Sequence, residues 1–407
     1  MGQILFLAHR IPWPADRGDK IRSHNILLHL AAMAPVHVVS FADDERDMGF
    51  AREMEPKFAS VFAEIRRKPQ WRAGAEGLMS GSPVSVKSFA SGRMAAHVEA
   101  LLARGNISHI FCFSGQMAQY VPASFAGIFI MDFVDVDSAK FESYARQGNP
   151  VMRWIHAREG RTLSAFEHAV AARADASLLV SAAEAELFRQ RSGLADSRVM
   201  ALGNGIDTIS YDPAAEIPAI AVTIDGPMIV FTGQMDYRPN IEAVTDFALH
   251  ALPLIHAQFP DAEFVIVGRN PPAQVLALAK HNGVIVTGAV DDVRSWLKAA
   301  DVVVAPLRIA RGVQNKVLEA MAMAKAVVAS VSAAEGIDAA DGIHFRIAAD
   351  VNAEAKIVCE LLADPIAARK LGENARRHVV SHYSWAGQLS DLHTIMAMDG
   401  DMQVAAQ

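Results

Sequence analysis

A lysine and a glutamate three residues apart, Lys316 and Glu319, sit in the run Arg311-Gly312-Val313-Gln314-Asn315-Lys316-Val317-Leu318-Glu319. Just before it, Asp301 to Leu307 is an apolar, β-branched run ending at Pro306, which reads as a buried parallel strand. Just after it, Asn315 to Ala326 has helical spacing, with Val317, Leu318, Met321 and Ala322 on one face. The stretch is therefore strand, short glycine-containing loop, helix. In open α/β sheets such a junction is the usual binding place, because a helix N-terminus offers free N–H groups and partial positive charge to a phosphate. A cation in the first turn disfavours the helix itself, so Lys316 makes sense there as the neutraliser of a bound anion. Glu319, one turn on, has the chemistry to accept hydrogen bonds from vicinal hydroxyls, as acidic residues do with ribose. Together they suggest a sugar-nucleotide diphosphate. A solvated Lys–Glu pair on an amphipathic helix is the other reading, and these residues alone leave both open.

The run from Gly312 to Met323, followed by Lys325-Ala326-Val327-Val328-Ala329-Ser330 and Ala334-Glu335-Gly336, resembles the donor-site signature of GT-B glycosyltransferases of family 4 (group 1). It is most similar to the exopolysaccharide branch associated with PEP-CTERM/exosortase systems. The usual motif is Glu-x7-Glu, and Arg311 stands where its first glutamate would be. Further resemblances lie at Asp16-Arg17-Gly18-Asp19-Lys20, at Asp132 to Lys140, at Gly233-Gln234-Met235-Asp236-Tyr237-Arg238-Pro239-Asn240, and at Ser381-His382-Tyr383-Ser384-Trp385. The resemblance covers most of the chain.

It implies an α/β protein of the GT-B type: two facing Rossmann-like, doubly wound domains, with a C-terminal helix crossing back to the first. The domains expected are 1–210 for the acceptor, 211–382 for the donor, and 383–407 for the returning helix and tail. The resemblance also implies roles. Arg238, Lys316 and Arg311 would act on the leaving diphosphate and donor sugar. Gly18, Gly233, Val290, Gly312, Val313, Gln314, Asn315 and Glu319 would line the donor. Arg17, Lys20, Asp135 and Asp137 would meet the acceptor. Gln234 stands where relatives often carry an arginine, which leaves Arg238 as the cation of that loop, with Lys316 to compensate. An arginine at 311 would suit an acidic donor sugar such as a uronic acid.

Composition agrees with a globular α/β protein: 407 residues, 52% hydrophobic and 20% charged. Cys112 and Cys359, the two cysteines, lie in apolar runs and read as buried thiols of a reducing compartment. The start, Met1 to Arg10, reads as a first strand rather than a signal peptide, and no stretch of about 18 apolar residues would span a bilayer. The net charge is −7, and the acidic excess falls after about residue 212, which argues against nucleic acid as a partner. No Gly-x-Gly-x-x-Gly occurs at Gly268 or Gly288, so no dinucleotide cofactor is expected. No further ligands frame Asp135 and Asp137, so no metal is expected either.

Along the chain, strands are expected near residues 3–8, 36–41, 109–113, 127–132 and 175–181, and again at 228–233, 264–268, 284–288, 301–307 and 327–330. Helices are expected from about Asp19 to Met33, over 89–103 and 151–173, and late in the chain at 351–363 and 366–381. Arg17, Lys20 and Arg22 also fit a solvated helix start. Arg66-Arg67-Lys68-Pro69-Gln70-Trp71-Arg72 is the densest basic run; it fits either a peripheral contact with an anionic membrane or an ordinary solvated loop. Residues 208–226 read as a linker.

The function expected is a retaining transfer of sugar from a UDP- or GDP-sugar to a glycan or lipid-linked acceptor, in exopolysaccharide biosynthesis. The place expected is the cytoplasm, peripheral to the inner face of the membrane. A non-catalytic nucleotide-sugar-binding or assembly protein, and a GT-B phosphorylase or epimerase, are the alternatives.

Overall fold

The computed structural model describes residues 2–15, 18–146, 149–220, 222–310 and 313–397. Arg17, Arg311 and Gly312 lie outside the described residues.

Two parallel sheets carry the fold. The first holds β1 (Gln3–Ala8), β2 (Val36–Ala42), β3 (Ser60–Ile65), β4 (Ile107–Phe113), β5 (Ile128–Val134), β6 (Ala176–Leu179) and β7 (Val199–Ala201), in the order β3-β2-β1-β4-β5-β6-β7. The second holds β8 (Met228–Thr232), β9 (Glu263–Val267), β10 (Val284–Gly288), β11 (Val302–Ala305), β12 (Ala326–Ser330) and β13 (Arg346–Ala348), in the order β10-β9-β8-β11-β12-β13. Central strands such as β8, β11 and β12 are buried at every residue, as apolar runs covered on both faces must be. Strand order reverses between β1 and β4 and between β8 and β11, and the carboxyl ends there open a crevice in each sheet. The chain divides into two compact units: one up to Asn204, joined by the chain from Gln388 onward, and one from Gly205 to Gly387. In the first unit the short helix Leu392–Met396 packs back, and the His109 ring meets the Met396 carbonyl at 2.9 Å.

The structure adds elements that the pattern did not suggest. β3 is half-buried at every residue and forms the sheet edge, so no continuous apolar run marks it. Part of the basic run is helical, Gln70–Ser80. The helix expected over 89–103 is Gly92–Leu102, started by Ser91, whose hydroxyl accepts from the Met94 N–H.

The helix Gly18–Met33 corrects the reading of its own start. Gly18 is its first residue, exposed, with nothing within 4 Å of where a Cβ would be, so no close approach within the protein requires glycine there. Lys20 and Arg22 are not solvated. The Lys20 ammonium donates to the Asp47 carboxylate at 2.9 Å and to the Trp13 carbonyl at 3.3 Å, and the residue is 3% exposed. Lys20 is thereby spent inside the first unit rather than offered to an acceptor. Arg22 is 1% exposed and forks onto Asp132, with Nε to Oδ2 at 2.9 Å and Nη2 to Oδ1 at 3.2 Å. Its third nitrogen reaches the Gly203 carbonyl and the Asn204 side chain. Helix start, strand end and the chain at residues 203–204 are thus tied at one point. Asp132→Asn is expected to destabilise the protein by about 3 kcal/mol in urea unfolding, because it strands the Arg22 charge. Asp137→Asn, at a half-exposed carboxylate, should cost less than about 1 kcal/mol.

Candidate functional site

The crevice of the second sheet is built by the loops after β8, β9 and β11. The helix after β11, Asn315–Ala322, buries Val317, Leu318, Met321 and Ala322 against the core, as its spacing predicted. Gln314 sits at its N-cap, no side chain caps the first turn, and that turn holds no acidic residue. The helix thus keeps its anion-attracting end open.

Lys316 does not lie along the helix surface. Its ammonium folds under the turn and donates to the Asn240 Oδ1 at 2.6 Å, 4.1 Å from the centre of the Phe231 ring. A Cβ added to Gly233 would lie 2.9 Å from that ammonium, so glycine is what admits the lysine. Burial pushes the Lys316 pKa down to about 7, against the pull of Glu319. Burial likewise pushes the Glu319 carboxyl up, and Lys316 opposes it. Among the described residues the Glu319 carboxylate accepts no hydrogen bond, although it is half-buried. Beside it lies Tyr211, whose hydroxyl is pushed up by burial and then by the charge of Glu319. Lys316 therefore lies against Gly233, with Glu319 one turn on, and both charged side chains are sheltered from solvent without an ion pair between them among the described residues.

Other expected residues fare differently. Val290 is half-buried against the core, beyond Gly288, whose φ of +72° suits glycine. Val313 and Asn315 are exposed and Gln314 is half-buried. Arg238, expected as the cation of the β8 loop, begins the helix Arg238–Asp246 and pairs with Glu242 one turn on at 2.7 Å, its side chain 87% exposed. The loop's closer cation is one that the local pattern missed. Arg269, after β9, donates to the Gln234 Oε1 at 3.2 Å, and its carbonyl accepts from the Met235 N–H. Asn240 is the other missed residue: it holds both Lys316 and the Gln234 carbonyl. A basic residue directly after the β9 strand was the available signal for Arg269; Asn240 had none without its partner. In the first unit, Asp135 and Asp137 share Lys140 at 2.8 and 3.0 Å. Among the described residues no group of His, Cys, Asp and Glu could hold a metal ion.

Residues 226–364 match the family model described as "Glycosyl transferases group 1". These residues are thus similar to a group 1 glycosyltransferase domain. Over 230 residues the chain is 29% identical to a phosphatidyl-myo-inositol mannosyltransferase of Propionibacterium freudenreichii, covering 53% of this chain and 54% of that protein. Over 243 residues it is 30% identical to an alpha-maltose-1-phosphate synthase of Mycolicibacterium smegmatis, covering 52% of this chain and 60% of that one. The chain thus spans little more than half the length of these relatives. Its fold is similar to that of Anabaena HepE, solved in complex with UDP and glucose, with a TM-score of 0.60, 13% identity, and 98% and 100% of the two chains covered. The GT-B fold is shared with such solved glycosyltransferases. Within the residues that match lie Gly233, Arg269, Lys316 and Glu319.

The lysine's pKa sets a pH dependence. An anion binds the charged ammonium, so binding takes up a proton wherever the empty site has lost it, above about pH 7. Affinity for a nucleoside diphosphate should be flat below that value and weaken by up to about tenfold per pH unit above it. The slope should vanish in Lys316→Met, read by calorimetric titration. A second outcome concerns the missed arginine. Arg269→Ala should weaken the same binding by about tenfold, the scale of one charge-assisted contact, and Gln234→Arg in that background should restore it.

Proposed function

We propose that this chain is a retaining glycosyltransferase that moves a sugar from a nucleotide-diphosphate sugar to a lipid-linked glycan in exopolysaccharide biosynthesis. The observation that carries the reading is the sheltered Lys316, with Glu319, which accepts no hydrogen bond among the described residues, one turn away, both within the residues that match a group 1 glycosyltransferase model. In the reaction the bond from the anomeric carbon to the diphosphate oxygen breaks, and a bond to the acceptor hydroxyl forms on the same face. The acceptor proton passes to the leaving diphosphate. Negative charge grows on that diphosphate, and a cation held in a low-dielectric setting stabilises it more than one in water would. Lys316 is that cation, with Arg269 beside the β8 loop, while Glu319 accepts from the ribose hydroxyls. Arg311 would then stand near the donor sugar and favour an acidic one.

Two relatives are named phosphatidyl-myo-inositol mannosyltransferase and alpha-maltose-1-phosphate synthase, and the structural one was solved with UDP and glucose, which supports a hexose donor on a nucleotide such as UDP. Among the described residues no helix is long and apolar enough to cross a membrane. A lipid-linked acceptor at the cytoplasmic surface would be met by a peripheral contact, for which the Arg66–Arg72 run is the first candidate.

The test is ligand-induced thermal stabilisation against UDP-, GDP-, ADP- and TDP-sugars. A nucleotide present at about a hundred times its dissociation constant should add about 2.7 kcal/mol in the wild type, and Lys316→Ala should abolish the shift. Proton NMR of the first product formed from the donor so found should show the donor's anomeric configuration kept. Absence of any shift in well-folded protein would defeat the reading, and an inverted product would defeat its stereochemistry.

A further inference from the structure

Three histidines of the second unit stand in a column. His378 and His382, four residues apart, share a face near the end of the helix Pro365–His382. His344 comes from the chain just before β13. The rings of His344 and His378 are stacked with centres 4.2 Å apart, and those of His378 and His382 with centres 4.4 Å apart. Backbone groups fix the roles of two ring nitrogens. The Ala340 N–H can only donate, so the His344 Nδ1, 3.0 Å away, accepts, and the proton of the neutral ring sits on Nε2. The Asp338 carbonyl can only accept, so the His378 Nε2 donates to it at 2.5 Å. His344 keeps its bond only while uncharged. Burial, and then His378 and His382, push its pKa down.

A cavity of about 330 Å³ opens beside the column, lined by Ile343, His344, Asn374, Arg377, His378 and Ser381. No carboxylate is among these residues. Two neighbouring arginines behave differently here. Arg376 turns inward, to the Tyr211 and Ala322 carbonyls and the Asp212 carboxylate. Arg377 is exposed; it donates to the neutral Asn374 Oδ1 and makes no ion pair among the described residues. The acidic groups of the neighbouring segments face elsewhere. The Asp341 carboxylate accepts from the Ile347 N–H. That of Asp338 acts on the Tyr383 hydroxyl, which burial pushes up and this charge pushes further. Glu373, next to Asn374 in the chain, does not line the cavity.

The helix dipole favours cations over a last turn, which accounts for His382. It does not account for Arg377, more than a turn earlier, or for His344, from another segment. The chain carries a net charge of −7 with its acidic excess in this half, so a guanidinium and three titratable rings around one cavity reverse the local sign. Like charges at stacking distance repel, so the column resists a proton until an anion stands beside it. We propose that this cavity binds a tetrahedral oxyanion, of the phosphate-monoester or sulfate type, together with one proton from solvent. His378 takes that proton at Nδ1 and keeps its bond to the Asp338 carbonyl. The Arg377 guanidinium supplies a fixed charge in a forked geometry, and the His344 Nε2–H a further donor. The site shares no residue with the donor crevice and does not depend on the glycosyltransferase reading.

The test uses the Lys316→Met protein, so that the donor crevice does not report, and sulfate, whose charge is constant over the range in which histidine titrates. Calorimetric titration at about pH 6 and pH 8, in buffers of different ionisation enthalpy, reads both affinity and proton uptake. Sulfate should bind at least about tenfold more tightly at the lower pH, with net proton uptake. Arg377→Ala, at an exposed side chain, should weaken that binding by about tenfold. His378→Phe keeps a ring in the column but cannot take the proton, and should remove the difference between the two pH values. Glycerol 3-phosphate bound more tightly than sulfate would assign the site to a phosphorylated metabolite, and equal binding would assign it to a free oxyanion. Affinity independent of pH, or unchanged in Arg377→Ala, would overturn the proposal. So would binding only above about 0.1 M, the behaviour of an adventitious ion.

Discussion

The ammonium of Lys316 must be housed where little water reaches, and the loops of the second unit are shaped around that requirement. Gly233 makes room for it, because any side chain there would strike the ammonium and the Asn240 amide. Gly268 makes room for Gly233 in turn: a Cβ on it would lie 1.7 Å from the Gly233 carbonyl oxygen. The β8 and β9 loops are therefore pressed together beside the lysine: a side chain on Gly268 would displace backbone, and one on Gly233 would displace the Asn240 and Lys316 side chains. The cation sits in the first turn of its helix, the position that the helix dipole favours least. Asn240 and the face of Phe231 offset part of this, the amide oxygen as acceptor and the ring through its quadrupole.

Much of this frame is legible in the sequence. The strands around both crevices are apolar runs that end in glycine, proline or acidic residues, and strands buried on both faces announce themselves in that way. Lys316 and Glu319 could be placed on one helix end because three residues make nearly one turn. Their depth was not legible. Depth depends on Asn240 and Phe231, which come from another loop and strand, and on the tight approach of Gly268. Arg238 shows the opposite failure: the motif pointed to it, but the helix that begins at that residue sets Glu242 one turn ahead, and the guanidinium pairs outward. Arg269 takes the nearer position because the β9 loop crosses the β8 loop, a contact between neighbouring strands that no short motif records.

The first unit shows why local charge is a poor guide to exposure. Lys20 and Arg22 stand in a run that reads as a polar helix start, yet both are buried. Their partners, Asp47 and Asp132, lie 27 and 110 residues away, so only the parallel sheet brings them together. Asp132, Asp135 and Asp137 look alike at the end of β5. One is fully buried and clamped by arginine; the other two are half-exposed and share a lysine. The edge strand β3 was missed for a related reason, since one unpaired edge and half-buried side chains leave no apolar signature.

The two units treat buried charge differently, and the difference separates structure from chemistry. Where the first unit buries Arg22 and Lys20, it supplies carboxylates and carbonyls at hydrogen-bond distance, so the cost of dehydration is returned within the fold. In the second, Lys316 is shielded with a neutral amide and a ring as its contacts, and Glu319 with no hydrogen bond among the described residues. Packing alone would select against such a pair, because a hydrophobic or a fully paired side chain would be cheaper at either position. A ligand that brings an anion to the lysine and hydroxyl donors to the glutamate removes both penalties at once. For such a ligand, relief of that desolvation would supply part of the affinity.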